Sequence, residues 1–148
     1  MSIENFNLIK SILGKPSFEA DGVAIYNRDC LEGMKDIPEG LINTTITSPP
    51  YNIGKEYEDR IKLDDYLSWC ESWIKQIHRV TSNDGTFWLN IGYLEVEGKG
   101  LAVPIPYLLW DRTPFYFLQE VVWNYAAGVA CRKRFSPRNE KLLWYVKD

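Results

Sequence analysis

The chain has 148 residues, 45% hydrophobic and 25% charged, with a formal net charge of −3. That length suits one domain and excludes two of ordinary size, and the composition is that of a folded globular chain rather than a disordered one. An acidic total argues against a non-specific nucleic-acid binder, but the charge is uneven: Cys131 to Asp148 holds six basic and two acidic residues, so this tail is +4 and the remainder −7.

In chain order, Val23–Tyr26 reads as a short strand. Asp29 and Glu32 then form an Asp-x-x-Glu pair that predicts a helix start, with the helix ending near Asp36. Leu41–Thr47 is rich in β-branched residues and reads as a buried strand stopped by Pro49-Pro50. From Asp64 to Thr81, Leu67, Cys70, Ile74 and Ile77 recur at helical spacing, with Asp64 or Asp65 as cap. Ser82–Gly85 predicts a stop, Thr86–Ile91 a strand, and Gly92–Gly100 a loop. Ile105–Arg112 reads as a short helix, and Phe115–Asn124 and Lys141–Lys147 as the final strands. This alternation predicts an α/β fold with a mostly parallel sheet and one antiparallel strand near the C-terminus.

Cys30, Cys70 and Cys131 lie far apart and His78 is the single histidine, so spacing marks no metal knuckle or redox pair. Free thiols imply a reducing, cytoplasmic setting. The longest uncharged run, Gly100–Trp110, is too short to span a bilayer, so no membrane partner is expected.

The sharpest feature is Ser48-Pro49-Pro50-Tyr51 at the end of a buried strand. Ligands of open α/β sheets bind beyond the carboxyl ends of strands. Two prolines stiffen the backbone and remove two N–H donors, which leaves carbonyls to accept. The exocyclic amine of a nucleobase is a poor nucleophile because its lone pair is delocalised into the ring. The Ser48 hydroxyl and the Pro49 carbonyl can accept its two N–H groups and aim the lone pair at an electrophilic methyl. Tyr51 offers a ring for a base taken out of its helix. A rigid turn or a proline-rich ligand is the alternative use of such a segment.

Ser48-Pro49-Pro50-Tyr51 resembles the catalytic motif of DNA amino-methyltransferases. Asp29-Cys30-Leu31 upstream is similar to the family's Gly-Asp-Cys segment, although Arg28 stands at the Gly position. Val122–Tyr125, Lys133–Ser136 and Glu140–Tyr145 follow in the family's order. The resemblance implies a Rossmann-like S-adenosylmethionine-dependent fold and a catalytic role for Ser48, Pro49, Pro50 and Tyr51. It also implies cofactor contacts from Asp29 and Cys30, where a helix cap is the competing role for Asp29. Double-stranded DNA is the implied partner, with Arg132, Lys133, Arg134 and Arg138 facing phosphates unless that loop is merely solvated.

The family's glycine-rich Phe-x-Gly-x-Gly cofactor turn is absent from these residues. The chain resembles the first half of the circularly permuted branch: an N-terminal extension over 1–20 and a catalytic half over 21–148. The cofactor-loop half and the target-recognition region would then belong to a missing C-terminal half or a second chain. In that frame Val23–Tyr26 is a sheet strand left without a neighbour, and Leu41–Thr47 has an open apolar edge. The implied activity is methylation of cytosine N4, favoured over adenine N6 because Ser48 stands where adenine enzymes more often carry Asp. A non-catalytic half of a split or disrupted enzyme is the alternative, and a methyltransferase acting on RNA or protein amides a third.

Overall fold

The computed structural model describes residues 2–124, 131–132, 135–136 and 138–147. The chain runs α1 (Ile3–Leu13), β1 (Phe18–Ala20), β2 (Val23–Ile25), α2 (Cys30–Asp36), β3 (Ile42–Thr47), α3 (Leu63–Val80) and β4 (Thr81–Ile91). It continues through β5 (Tyr93–Val96), β6 (Gly100–Pro104), α4 (Ile105–Leu109), β7 (Tyr116–Asn124) and β8 (Asn139–Val146). No helix among the described residues is long and apolar enough to cross a membrane.

One helix face organises the molecule. Leu67, Cys70, Trp73, Ile74 and Ile77 of α3 are buried against Phe87, Leu89 and Ile91, the alternate residues of β4 that share one side of the sheet. Leu143, Tyr145, Phe115, Ile105 and Leu109 complete this core. A smaller cluster of Ile9, Ile37 and Val80 joins α1 to α2 and the end of α3. On the sheet's other face Trp88 and Trp144 stack, with ring centroids 5.0 Å apart and planes 11° from parallel. Ile46 is 72% exposed there.

The central sheet has four strands in the order β3-β4-β8-β7. β3 and β4 are parallel, whereas β8 is antiparallel to both of its neighbours. The expectation of a mostly parallel sheet therefore holds for strand directions and needs correcting for the ladders. The one reversed strand lies inside the sheet, so two of the three pairings are antiparallel.

Four local expectations are also corrected. Val23–Tyr26 is neither a central strand nor unpaired: β2 forms an antiparallel hairpin with β1. Asp21 (φ 48°) and Gly22 (φ 80°) supply the two positive φ angles that a tight two-residue turn requires. The helix stops at Val80, as expected, but Ser82–Gly85 belong to β4, which starts at Thr81 rather than Thr86. Between the pairs Ile42↔Thr81 and Thr44↔Thr86, β3 advances two residues and β4 five, so this segment is a bulge. Residues 92–100 are mostly hairpin, β5 pairing with β6 around Gly98. Asp64 and Asp65 lie inside the first turn of α3, where they favour the helix dipole, and Lys62 occupies the cap position.

Phe87 is fully buried where α3, β4 and β8 meet, its ring stacked 5.6 Å from Tyr145. Phe87→Ala is expected to cost about 3–5 kcal/mol, measured as a lower midpoint in urea unfolding.

Candidate active site

A turn containing two prolines cannot be tied down by its own amides, and here side chains from two elements hold it. The Tyr66 hydroxyl, from the first turn of α3, donates to the Pro50 carbonyl at 2.8 Å. Burial, with Cys70 as the next influence, pushes the pKa of Tyr66 far up, so its hydroxyl stays a donor. Tyr51 donates to Oδ1 of Asn90 at 3.0 Å, and its hydroxyl lies 3.3 Å from Oγ of Ser48. The Tyr51 ring rests on Gly92, where a Cβ would come within 2.9 Å of Cε2. Asn90 in turn donates through Nδ2 to Glu140 at 3.1 Å. Among the described residues no hydrogen bond reaches the Pro49 carbonyl, which remains available to a ligand.

The chain beyond the turn is closed into a loop by Asn52, which is buried and has a positive φ of 59°. Its Oδ1 accepts from the Ile61 amide at 2.8 Å, and its Nδ2 donates to the Ile61 carbonyl at 2.9 Å. Glu58 gathers the amides of Asn52, Ile53 and Lys55 at 3.0, 2.9 and 3.3 Å. Burial opposes the charge of Glu58, but amides of Ile53, Lys55, Asn52 and Gly54 outweigh it and hold the carboxyl below its ordinary value.

Two cavities share the turn as a wall. One, of about 650 Å³, is lined by Ser48, Pro49, Pro50 and Tyr51, with Lys55 and Tyr57 from the loop and Gly92, Asn139 and Glu140 opposite. The other, of about 400 Å³, is lined by Ser48, Pro49 and Pro50 again, with Cys30 and Met34 of α2, Thr45 and Thr47 of β3, and Trp69 and Trp73 of α3. Trp73 is 4% exposed, and its Nε1 is buried with no hydrogen-bond partner among the described residues. A mostly apolar cleft with aromatic walls suits a flat heteroaromatic group.

The sequence-derived site residues thus divide. Ser48, Pro49, Pro50, Tyr51 and Cys30 meet around these cavities. Asp29 is the N-cap of α2, accepting from the Glu32 amide at 3.0 Å. Arg132 and Arg138 are exposed, while Lys133 and Arg134 lie outside the described residues. Cys70 is buried and its thiol pushed up to about 12, the wrong state for a nucleophile. His78 packs edge-on against Phe115. Tyr66, Asn90, Gly92 and Glu140 had no signal in the motif itself. Asn90 and Gly92 could have been found from the rule that placed the motif, because they lie at the carboxyl end of the parallel neighbour of β3.

A family model described as DNA methylase, of the N6/N4 methyltransferases, matches residues 42–148. The chain is 60% identical over 140 residues to the type II methyltransferase M.ScaI of Streptomyces caespitosus, covering 95% of this chain and 46% of that protein. It is similar in fold to the PvuII DNA methyltransferase (cytosine-N4-specific), with a TM-score of 0.73 at 19% identity, over 90% of this chain and 52% of that one. The M1.HpyAVI–SAM complex is a more distant likeness, with a TM-score of 0.51 at 20% identity over 82% of this chain and 53% of that one. The chain therefore spans about half the length of these relatives.

Two outcomes follow from the site's packing. A carboxylate depressed by backbone donors stabilises the loop fully above its ordinary pKa of 4.5 and loses that contribution as pH falls through the lower folded value. Amide exchange at Asn52 and Ile53 is thus expected to be protected at neutral pH and to lose protection in acid, as the pH falls through the lowered pKa of Glu58. Gly92→Ala displaces the Tyr51 ring and is expected to cost about 1–3 kcal/mol, read by urea unfolding and by shifted Tyr51 ring resonances. The matched family model over residues 42–148 and the 60% identical relative agree with the geometry of the turn: this chain belongs to the N6/N4 DNA methylase family.

Proposed function

We propose that this chain is the catalytic half of a DNA methyltransferase that uses S-adenosylmethionine to methylate the exocyclic amine of a flipped base, cytosine N4 before adenine N6. The observation that carries this reading is the Ser48–Tyr51 turn acting as a common wall between two cavities. A methyl group in one and an amine in the other would meet at its edge, where Ser48, Pro49 and Pro50 line both cavities.

The larger cavity takes the base. The Ser48 hydroxyl and the Pro49 carbonyl accept the amine's two N–H groups, which favours a pyramidal nitrogen with its lone pair free. The Tyr51 ring, held over Gly92, is the stacking surface. The smaller cavity fits the cofactor's adenosine: Cys30 lines it, Asp29 caps the helix beside it, and Trp69 and Trp73 supply aromatic walls. S-adenosylmethionine supplies an electrophilic methyl, and no covalent enzyme intermediate is needed. Arg132, Lys133, Arg134 and Arg138 supply positive charge for the phosphates of double-stranded DNA.

The preference for cytosine N4 rests on Ser48, a neutral hydroxyl acceptor. The boundary between extension and catalytic half is drawn at residues 20 and 21, inside the β1–β2 hairpin. The glycine-rich cofactor loop comes from a missing C-terminal half or a second chain, which also supplies target recognition, and the cytoplasm is the compartment that suits such a partner. The open edge of β3 and the exposed Ile46 beside it favour this reading. The chain by itself is then expected to bind S-adenosylmethionine weakly or not at all in calorimetric titration, and tight binding would overturn the half-enzyme reading.

The test of activity is to combine the chain with the portion of M.ScaI outside the match, incubate it with duplex DNA and labelled cofactor, and digest to nucleosides. N4-methylcytosine is expected. N6-methyladenine alone would overturn the choice of base. No transfer would favour the second reading, a non-catalytic half, which the coverage of only 46% of M.ScaI also supports.

A further inference from the structure

We infer that Glu140, acting through Asn90 and Tyr51, fixes the direction of a hydrogen-bond chain that makes Ser48 an acceptor in the larger cavity. This rests on the reading of the turn as the transfer site, and it adds a positioning residue at the start of β8.

The register brings the parts together. Asn90 pairs with Leu142 across the β4–β8 ladder, and Glu140 lies two residues before Leu142, so all three side chains share one face. On that face Nδ2 of Asn90 donates to Oε2 of Glu140 at 3.1 Å. A carboxylate only accepts, so it selects one of the two ways an Asn amide can face. The reverse orientation would set the carbonyl oxygen of Asn90 against a charged oxygen. Oδ1 of Asn90 therefore points to Tyr51 and accepts its hydroxyl proton at 3.0 Å.

Tyr51 has one hydroxyl proton, and Asn90 takes it. The 3.3 Å contact between Tyr51 and Ser48 can then be made only with Ser48 as donor. Every donor in the chain faces Glu140: Ser48 to Tyr51, Tyr51 to Asn90, Asn90 to Glu140. What remains on Ser48 Oγ is acceptor capacity, the property that an amine N–H requires. Reversed, the chain would aim the Ser48 proton at the amine, donor against donor. Ser48, Tyr51 and Glu140 all line the same cavity of about 650 Å³, so the orientation is set where the amine would lie.

Glu140→Gln tests this, because an amide of the same size can donate as well as accept and no longer enforces the direction. In the combined enzyme described above, Glu140→Gln is expected to lower kcat about 10- to 100-fold and to leave KM for DNA within about twofold. In a Tyr51→Phe background, where the chain is already cut, adding Glu140→Gln is expected to change kcat little further. An unchanged kcat in Glu140→Gln, or equal losses in both backgrounds as from a merely structural residue, overturns the inference. Side-chain amide NMR of Asn90 in the chain alone separates this from the proposed function. A downfield Nδ2 proton that moves upfield in Glu140→Gln supports the chain, and an unmoved resonance overturns it. If the wild-type combination transfers no methyl, the proposed function fails, and the NMR result alone then decides the hydrogen-bond direction.

Discussion

Proline has no N–H to give, and that constraint shapes everything around Pro49 and Pro50. The turn at the end of β3 is held through what it can still offer, a carbonyl and the side chains on either side. α3 reaches it with the Tyr66 hydroxyl, and β4 reaches it with Asn90 through Tyr51. Each tie depends on longer-range packing. Tyr66 is delivered only if the apolar face of α3 seats on Phe87, Leu89 and Ile91. Asn90 stands beside the turn only because β3 and β4 run parallel and end together.

This arrangement converts core stability into local rigidity. Burial of a helix face is non-directional and roughly proportional to area, so it can place a helix but cannot orient a hydroxyl. Directional hydrogen bonds supply the orientation, from the buried Tyr66 and the half-buried Tyr51 and Asn90. The same division holds in the loop after the turn: Asn52 closes its two ends with paired bonds to Ile61, and Glu58 gathers the free amides between them. The result is two cavities with a shared, stiff partition. Holding two groups in fixed relation is worth more to a transfer reaction than contact area alone.

The distribution of charge reads differently once the fold is known. The exposed Arg132 and Arg138 lie in the connection between β7 and β8. β8 starts at Asn139 and carries Glu140 into the wall of the larger cavity. A short stretch of chain thus passes from exposed cations to a carboxylate that lines a cavity.

Much of the site was legible in the residues alone. Two prolines after a β-branched run announce a rigid strand end, and helical spacing of Leu67, Cys70, Ile74 and Ile77 announces the face that packs beneath it. Asp29 as a helix cap was likewise readable, because a cap is settled within one turn of chain. Asp21-Gly22 is of the same local kind, a dipeptide that favours a tight hairpin turn. Tyr66, Asn90 and Glu140 were not legible, since each acts on a residue 16, 39 or 50 positions away in the chain. Nor could Ser82–Gly85 be read as a bulge, because bulges exist only relative to a partner strand. Which side chains stand at the turn, and how far its backbone can move, was determined by the sequence, through side-chain type and local backbone restriction. Which way Ser48 faces, and that one turn borders two cavities, was decided by tertiary structure, because direction and enclosure arise only between elements that meet in space.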